Sequence, residues 1–190
     1  MIYTIGHSNH SSERFIDLLR RHAITAVADV RSVPYSRRNP QFNREALGRS
    51  LAHQGIRYVF LGEELGARSK DRSCYDGARV SYPRLAATHL FQEGLGRLRT
   101  AMDEHRLAIM CAEKDPLECH RAILVSRHLA ADGIDVAHIL ESGELEPHVQ
   151  ALARLRRRLG MPEHDMFRSD EQLSNEAYEL QGHRIAFRAE

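Results

Sequence analysis

Short apolar runs alternate with amphipathic stretches from the first residues onward. Ile2–Gly6 is an apolar run closed by glycine, the pattern of a buried strand. Phe15, Leu18 and Leu19 then recur at helical spacing behind Ser11 and Ser12, either of which can cap the helix. A second strand is expected at Thr25–Arg31. A helix carrying Leu47 and Leu51 follows, capped by Asn43 and closed by Gly55. Ile56–Leu61 reads as a third strand, Tyr82–Glu104 as helix and Arg106–Cys111 as a fourth strand. A helix from Pro116 to about Asp132 stops at Gly133, Ile134–Leu140 is a fifth strand, and Glu144–Leu159 is a basic amphipathic helix. Residues 62–80 form a long polar stretch with three glycines, the profile of a lid or functional loop.

Strands alternating with helices imply βαβ units and a parallel sheet. The expected fold is therefore three-layer α/β, with a parallel-dominated sheet of about five strands and helices on both faces. Residues 1–160 make up that domain, and the more polar 161–190 is an arm packed on it.

Composition narrows the class. The 190 residues are 42% hydrophobic and 28% charged, which excludes a disordered chain, a collagen and a coiled coil. No apolar run reaches the length of a membrane span, and the N-terminus lacks the basic and apolar regions of a secretory signal, so a cytoplasmic protein without membrane partners is expected. The net charge of +1 conceals a bias, because every basic residue except Lys70 and Lys114 is arginine. The guanidinium fork grips phosphate and carboxylate bidentately. From Arg31 to Arg49 five arginines stand against the single acid Glu45.

Ligands of parallel sheets bind at the carboxyl ends of the strands. The polar residues there are His7 and Ser8 after the first strand, Arg31 and Ser32 after the second, Glu63, Glu64 and Gly66 after the third, and Cys111 and Glu113 after the fourth. The richest segment is Cys111–Arg121, CAEKDPLECHR. Asp115 reads as an N-cap, Pro116 as the first helical residue and Glu118 as the acid that reaches back. Cys119, His120 and Arg121 would then occupy the first turns, where the helix dipole favours anions and thiolates. Packing alone also accounts for buried cysteines. In a second segment, Asp29–Asn43, Arg31, Arg37 and Arg38 alternate with Tyr35 and Phe42, which suits a nucleotide or a single strand. His7 titrates near neutrality and is a candidate acid or base.

Three cysteines argue for reduced thiols rather than a disulfide framework. A phosphatase loop needs arginine six positions after cysteine, but Leu117 and Val125 stand there. The sulfurtransferase-like spacing from Cys74 to Arg79 has no preceding strand to position the thiol. No C-x₂-C pair occurs, and Cys119 and His120 on one helix would not aim at a common ion. The reading from sequence is therefore no metal and no cofactor.

The segments YTIGHSN, VADVRSVPYSRRNPQFN, LGEELG and CAEKDPLECHR together resemble the family numbered 488 among the domains of unknown function, with a further likeness near Asn175–Ala186. The resemblance implies a compact α/β domain of bacterial or archaeal type and brings no reaction with it.

Two functions are expected from these residues. The first is an enzyme acting on a small anionic, phosphorylated or nucleotide-like ligand. His7, Glu64 and Cys111 would be its catalytic groups. Ser8, Arg31, Ser32, Arg37, Arg38, Glu113, Cys119, His120 and Arg121 would bind the substrate. The alternative is a non-catalytic nucleic-acid-binding module that uses the arginines of 31–49. Oligomeric state has no signature in the sequence.

Overall fold

A computed structural model describes residues 1–189. Its elements, in chain order, are β1 (Ile2–Gly6), α1 (Ser12–Arg21), β2 (Ala26–Asp29), α2 (Arg44–Ala52), β3 (Arg57–Phe60), β4 (Tyr75–Asp76), β5 (Arg79–Val80), α3 (Tyr82–Ala86), α4 (His89–Glu104), β6 (Leu107–Cys111), α5 (Arg127–Ala131), β7 (Val136–Ile139), β8 (Leu145–Pro147), α6 (His148–Arg158) and α7 (Asp170–Ile185). The main sheet has six strands in the order β3-β2-β6-β1-β7-β8. The first five are mutually parallel, and β8 pairs antiparallel with β7 at one edge.

The pleat sends alternate side chains to opposite faces and so builds two cores. Tyr3, Ile5, Val27, Ala108, Met110 and Ile139 pack on Phe15, Leu18 and Leu19 of α1 and on Leu47 and Leu51 of α2. Ile2, Ala28, Ile109 and Val136 face the other way, onto α3, α4, α5, α6 and α7. The strands flanked by both layers are buried at every position, and most of their residues are apolar, as a doubly covered parallel sheet requires; Thr4, Asp29 and His138 are the polar exceptions.

Several expected elements change at their ends. The helix expected at Tyr82–Glu104 is two helices. The Thr88 side chain accepts from the Phe91 amide and starts a new helix, and Thr88 Oγ1 also donates to the Leu85 carbonyl. The helix expected from Glu144 begins at His148, because Leu145–Pro147 is spent on the edge strand. Residues 62–80 are only partly a loop. Leu65 and Cys74 are fully buried, and β4 and β5 form a small hairpin. The C-terminal stretch seals one side of the molecule. Helix α7 carries a capping box between Ser169 and Gln172 and buries Leu173, Ala177 and Tyr178. Beyond it the Phe187 carbonyl accepts from the Val80 amide. No helix among the described residues is long and apolar enough to cross a membrane.

Candidate functional site

The carboxyl ends of β1, β2 and β6 meet at one edge of the sheet. The amides of His7 and Ser8 donate to the carbonyls of Cys111 and Ala112, so the chain leaving β1 is laced to the chain leaving β6. This close approach needs Gly6, since a Cβ there would run into the Glu113 carbonyl.

Arg31 extends from the end of β2 and is almost fully buried. Its Nε and Nη2 donate to both carboxylate oxygens of Asp29, at 2.9 and 2.7 Å, and Nη2 also reaches the Phe42 carbonyl at 2.8 Å. Tyr58 from β3 donates to the same carboxylate at 2.8 Å. Arg31 Nη1 donates to His7 Nε2 at 3.1 Å, while His7 Nδ1–H donates to the Ser8 carbonyl at 2.8 Å. Both ring nitrogens of His7 are thus engaged, and the ring stacks on Phe42 at 4.4 Å. Burial, helped by the Arg31 charge, lowers its pKa to about 4. His7 is neutral here, and both of its ring nitrogens are committed to partners within the protein.

The segment after β6 departs most from expectation. Asp115 is an N-cap, accepting from the Leu117 amide, but the helix it starts is a single 3₁₀ turn, Pro116–Glu118. Cys119 is extended, with φ −136° and ψ 139°. A π-helical segment then runs from Arg121 to Ser126 before α5, with Ser126 Oγ donating to the Arg121 carbonyl at 2.7 Å. Cys119 therefore sits in a break between two turns and not in the first turn of one helix. Glu118 faces solvent near Arg158 instead of reaching back.

That break turns Cys119 and His120 onto the end of β6 together. His120 Nδ1 lies 3.7 Å from Cys111 Sγ and 4.0 Å from Cys119 Sγ, and its Nε2–H donates to the Val30 carbonyl at 3.0 Å. Glu113 Oε2 lies 3.1 Å from Cys111 Sγ and 2.8 Å from Cys119 Sγ. Arg121 is fully buried beneath them, its Nη1 and Nη2 donating to the Glu113 and Lys114 carbonyls at 2.7 and 3.1 Å, and its Nε has no partner. The reading that Cys119 and His120 diverge on a helix does not hold. Cys111, Cys119 and His120 offer donor atoms all within 4.8 Å of one another.

The cluster divides its protons unequally. Burial pushes the Cys111 thiol well up, and Cys119 beside it pushes it further. Burial also opposes ionisation of Cys119, but the hydrogen bond from Cys111, then Arg121 and His120, outweigh it and hold that thiol well below its usual range. Glu113 is raised by burial and by Cys119. His120 loses some basicity to burial and regains more from its hydrogen bond and charge contact with Cys119.

A cleft of about 360 Å³ opens over this cluster. Cys111, Glu113 and His120 line it, with Arg31, Ser32, Tyr82 and Arg68. Arg68 was not singled out in the sequence. It is exposed and stacks at 4.6 Å over Phe187, a contact between residues far apart in the chain. Ser32 Oγ accepts from the Arg68 amide and so fixes the rim.

The remaining candidates lie apart. Glu64 is ion-paired to Arg97 on α4 and does not line this cleft. Ser8 is a half-buried left-handed residue, φ +49°, whose hydroxyl reaches only Asn9. Arg37 and Arg38 are exposed on the loop after β2, outside the cleft.

One protein-family model, described as domain of unknown function DUF488, matches residues 11–128. No curated protein and no solved structure matches the chain.

Proposed function

The chain belongs to DUF488, a domain of unknown function, and from its geometry we propose that it is an enzyme acting on a small anionic substrate, phosphorylated or nucleotide-like, in the cleft over the Cys111–His120 cluster. One observation carries the reading. Groups able to attack or to exchange protons (Cys111, Glu113 and His120) line the same cleft as the guanidiniums of Arg31 and Arg68. A packing role for the cysteines does not require a cleft with arginines on its wall. Arg68 receives the anionic group, because its charge is exposed and its plane is held by Phe187. Arg31 is committed to Asp29 and serves as a fixed positive wall.

The test is calorimetric titration with a mononucleotide, inorganic phosphate and a generic single-stranded oligonucleotide. Saturable binding of the mononucleotide or of phosphate is expected, weakened roughly tenfold or more by Arg68→Ala, the loss of one charge-assisted contact. Substituting Arg37 and Arg38 by alanine leaves it unchanged. Binding confined to the oligonucleotide, steep in salt and lost with Arg37 and Arg38, would transfer the function to a nucleic-acid-binding module. Binding of none of the three would overturn the reading.

A further inference from the structure

We propose that Cys111, Cys119 and His120 are three ligands of a zinc-class divalent ion, with the fourth coordination position at Glu113, on the side of the cleft. With the ion bound, Cys111 and His120 are ligands and not attacking groups, so the anion reading then rests on Arg31 and Arg68; metal uptake and anion binding are measured separately.

Distances come first. A tetrahedral zinc site has metal–sulfur bonds of about 2.3 Å and metal–nitrogen bonds of about 2.0–2.1 Å, which sets sulfur and nitrogen roughly 3.5 Å apart. His120 Nδ1 stands 3.7 and 4.0 Å from the two sulfurs, within a few tenths of an ångström of that separation, and all three donor atoms lie within 4.8 Å of one another. The donors converge because residue 119 is extended and residue 120 begins the next turn.

The imidazole is already set for coordination. A metal-binding histidine donates its other ring N–H to a carbonyl or carboxylate, which fixes the tautomer and aims the free lone pair. His120 Nε2–H donates to the Val30 carbonyl at 3.0 Å, and the remaining nitrogen, Nδ1, is the one facing the sulfurs.

The charges fit as well. Two thiolates and a carboxylate around a divalent ion leave one negative charge in excess. Arg121 is fully buried, and its side-chain hydrogen bonds run to backbone carbonyls and not to a carboxylate. An isolated buried guanidinium is costly, and an anionic metal–thiolate centre beside it removes that cost. Two sulfurs and an imidazole select zinc or a similar borderline ion over magnesium or calcium. Cys111, Cys119 and His120 are each at least nine-tenths buried, whereas Glu113 stands at the rim with its carboxylate turned inward. The position it occupies is thus the exchangeable one, the arrangement of catalytic rather than closed structural zinc sites. On binding, any thiol proton still present passes to solvent.

The experiment is titration of the reduced, metal-stripped full chain with cobalt(II), followed by zinc. One cobalt per chain is expected, with thiolate charge-transfer absorption and the strong visible bands of a tetrahedral site, both abolished by one equivalent of zinc. Cys74→Ser leaves the spectrum unchanged. His120→Ala weakens uptake by at least about tenfold. Glu113→Gln retains the charge-transfer band, because both sulfurs remain. Absence of charge-transfer absorption in the reduced wild-type protein, which needs no variant to fold, would overturn the proposal. A spectrum indifferent to His120→Ala in a folded variant would do the same. Oxidation to a Cys111–Cys119 disulfide without metal uptake by the reduced form would assign the pair to redox chemistry instead.

Discussion

Asp29 grips Arg31 with both carboxylate oxygens, at 2.9 and 2.7 Å, inside the rim of the sheet. The two residues are neighbours but one on the strand, so the second side chain folds back over the first. Tyr58 and the Phe42 carbonyl complete the coordination of both charges. An ion pair at 0% and 6% exposure escapes the solvent screening that makes surface pairs weak.

Removing one partner is therefore expensive. Asp29→Ala leaves the guanidinium buried without its counter-ion, and a loss of about 3–5 kcal/mol is expected in chemical denaturation. Arg37→Ala and Arg38→Ala, on the exposed loop, stay within about 0.5 kcal/mol of the wild type. A small effect at Asp29 would show that Arg31 relaxes to another acceptor and is free to meet a ligand.

The placement of the site was legible, because strand periodicity fixes which residues end each strand. Gly6, Arg31 and Cys111 follow from that pattern and lie at one edge of the sheet. Their roles were less legible. Nothing in the sequence says that Arg31 folds back onto Asp29, or that Glu64 pairs with Arg97 thirty-three positions away. The break at Cys119 was hidden because Asp115–Glu118 carries every signal of an ordinary helix start. The π-helical segment from Arg121 to Ser126 has no apolar period of its own. The edge strand Leu145–Pro147 is too short to show alternation, and it took the first turn of an expected helix. Arg68 escaped notice because its partner, Phe187, arrives from the C-terminal segment.

A buried chain of polar groups crosses the molecule away from the cleft. Thr4 Oγ1 lies 2.7 Å from His138 Nδ1, His138 Nε2 lies 2.9 Å from His148 Nδ1, and Tyr178 Oη lies 2.7 Å from His148 Nε2. Burial lowers both histidines, His148 to about 4. They are neutral when folded, whereas in the unfolded chain they take up protons near pH 6.5. The unfolded state binds more protons between those values, so stability falls as pH drops from about 6.5 towards about 4. His148 alone contributes a loss of about 3 kcal/mol across that window, and His7 adds to it in the same direction. Denaturation midpoints followed across this range check the slope. A flat profile would mean that the folded protein admits the protons.

Gly6 is the contact point between the chains leaving β1 and β6. Gly6→Ala places a methyl group where the Glu113 carbonyl sits and crowds Arg121 behind it. The carbonyl belongs to the backbone and the guanidinium is tied to the Glu113 and Lys114 carbonyls, so neither swings aside freely, and a cost of about 1–3 kcal/mol is expected. The same displacement moves Glu113 off the two sulfurs. Cobalt uptake should weaken in this variant even under conditions where its circular dichroism is that of the wild type. Unaltered uptake and stability would show that the backbone at Glu113 yields.

The three thiols should differ sharply towards an alkylating reagent, and access rather than acidity decides the order. Cys74 is fully buried in the core beneath β5 and lines none of the clefts near the site, so it reacts only when the chain unfolds. The Cys119 thiol is held well below its usual range by the hydrogen bond from Cys111, Arg121 and His120, yet it is 1% exposed and lies behind the wall of the cleft. Cys111 is 3% exposed and lines the cleft, so a small reagent such as iodoacetamide meets it first, although burial keeps it largely protonated. Native labelling followed by peptide mass spectrometry should thus give Cys111 before Cys119, and Cys74 last. Zinc, added in equimolar amount, should slow Cys111 and Cys119 together and leave Cys74 as it was, because coordination draws charge from the sulfur and lowers its nucleophilicity. Protection of Cys111 alone would confine the ion to the cleft surface and break the pairing with Cys119. Labelling of all three at one rate, only with unfolding, would show that the cleft does not admit even a small reagent to Cys111.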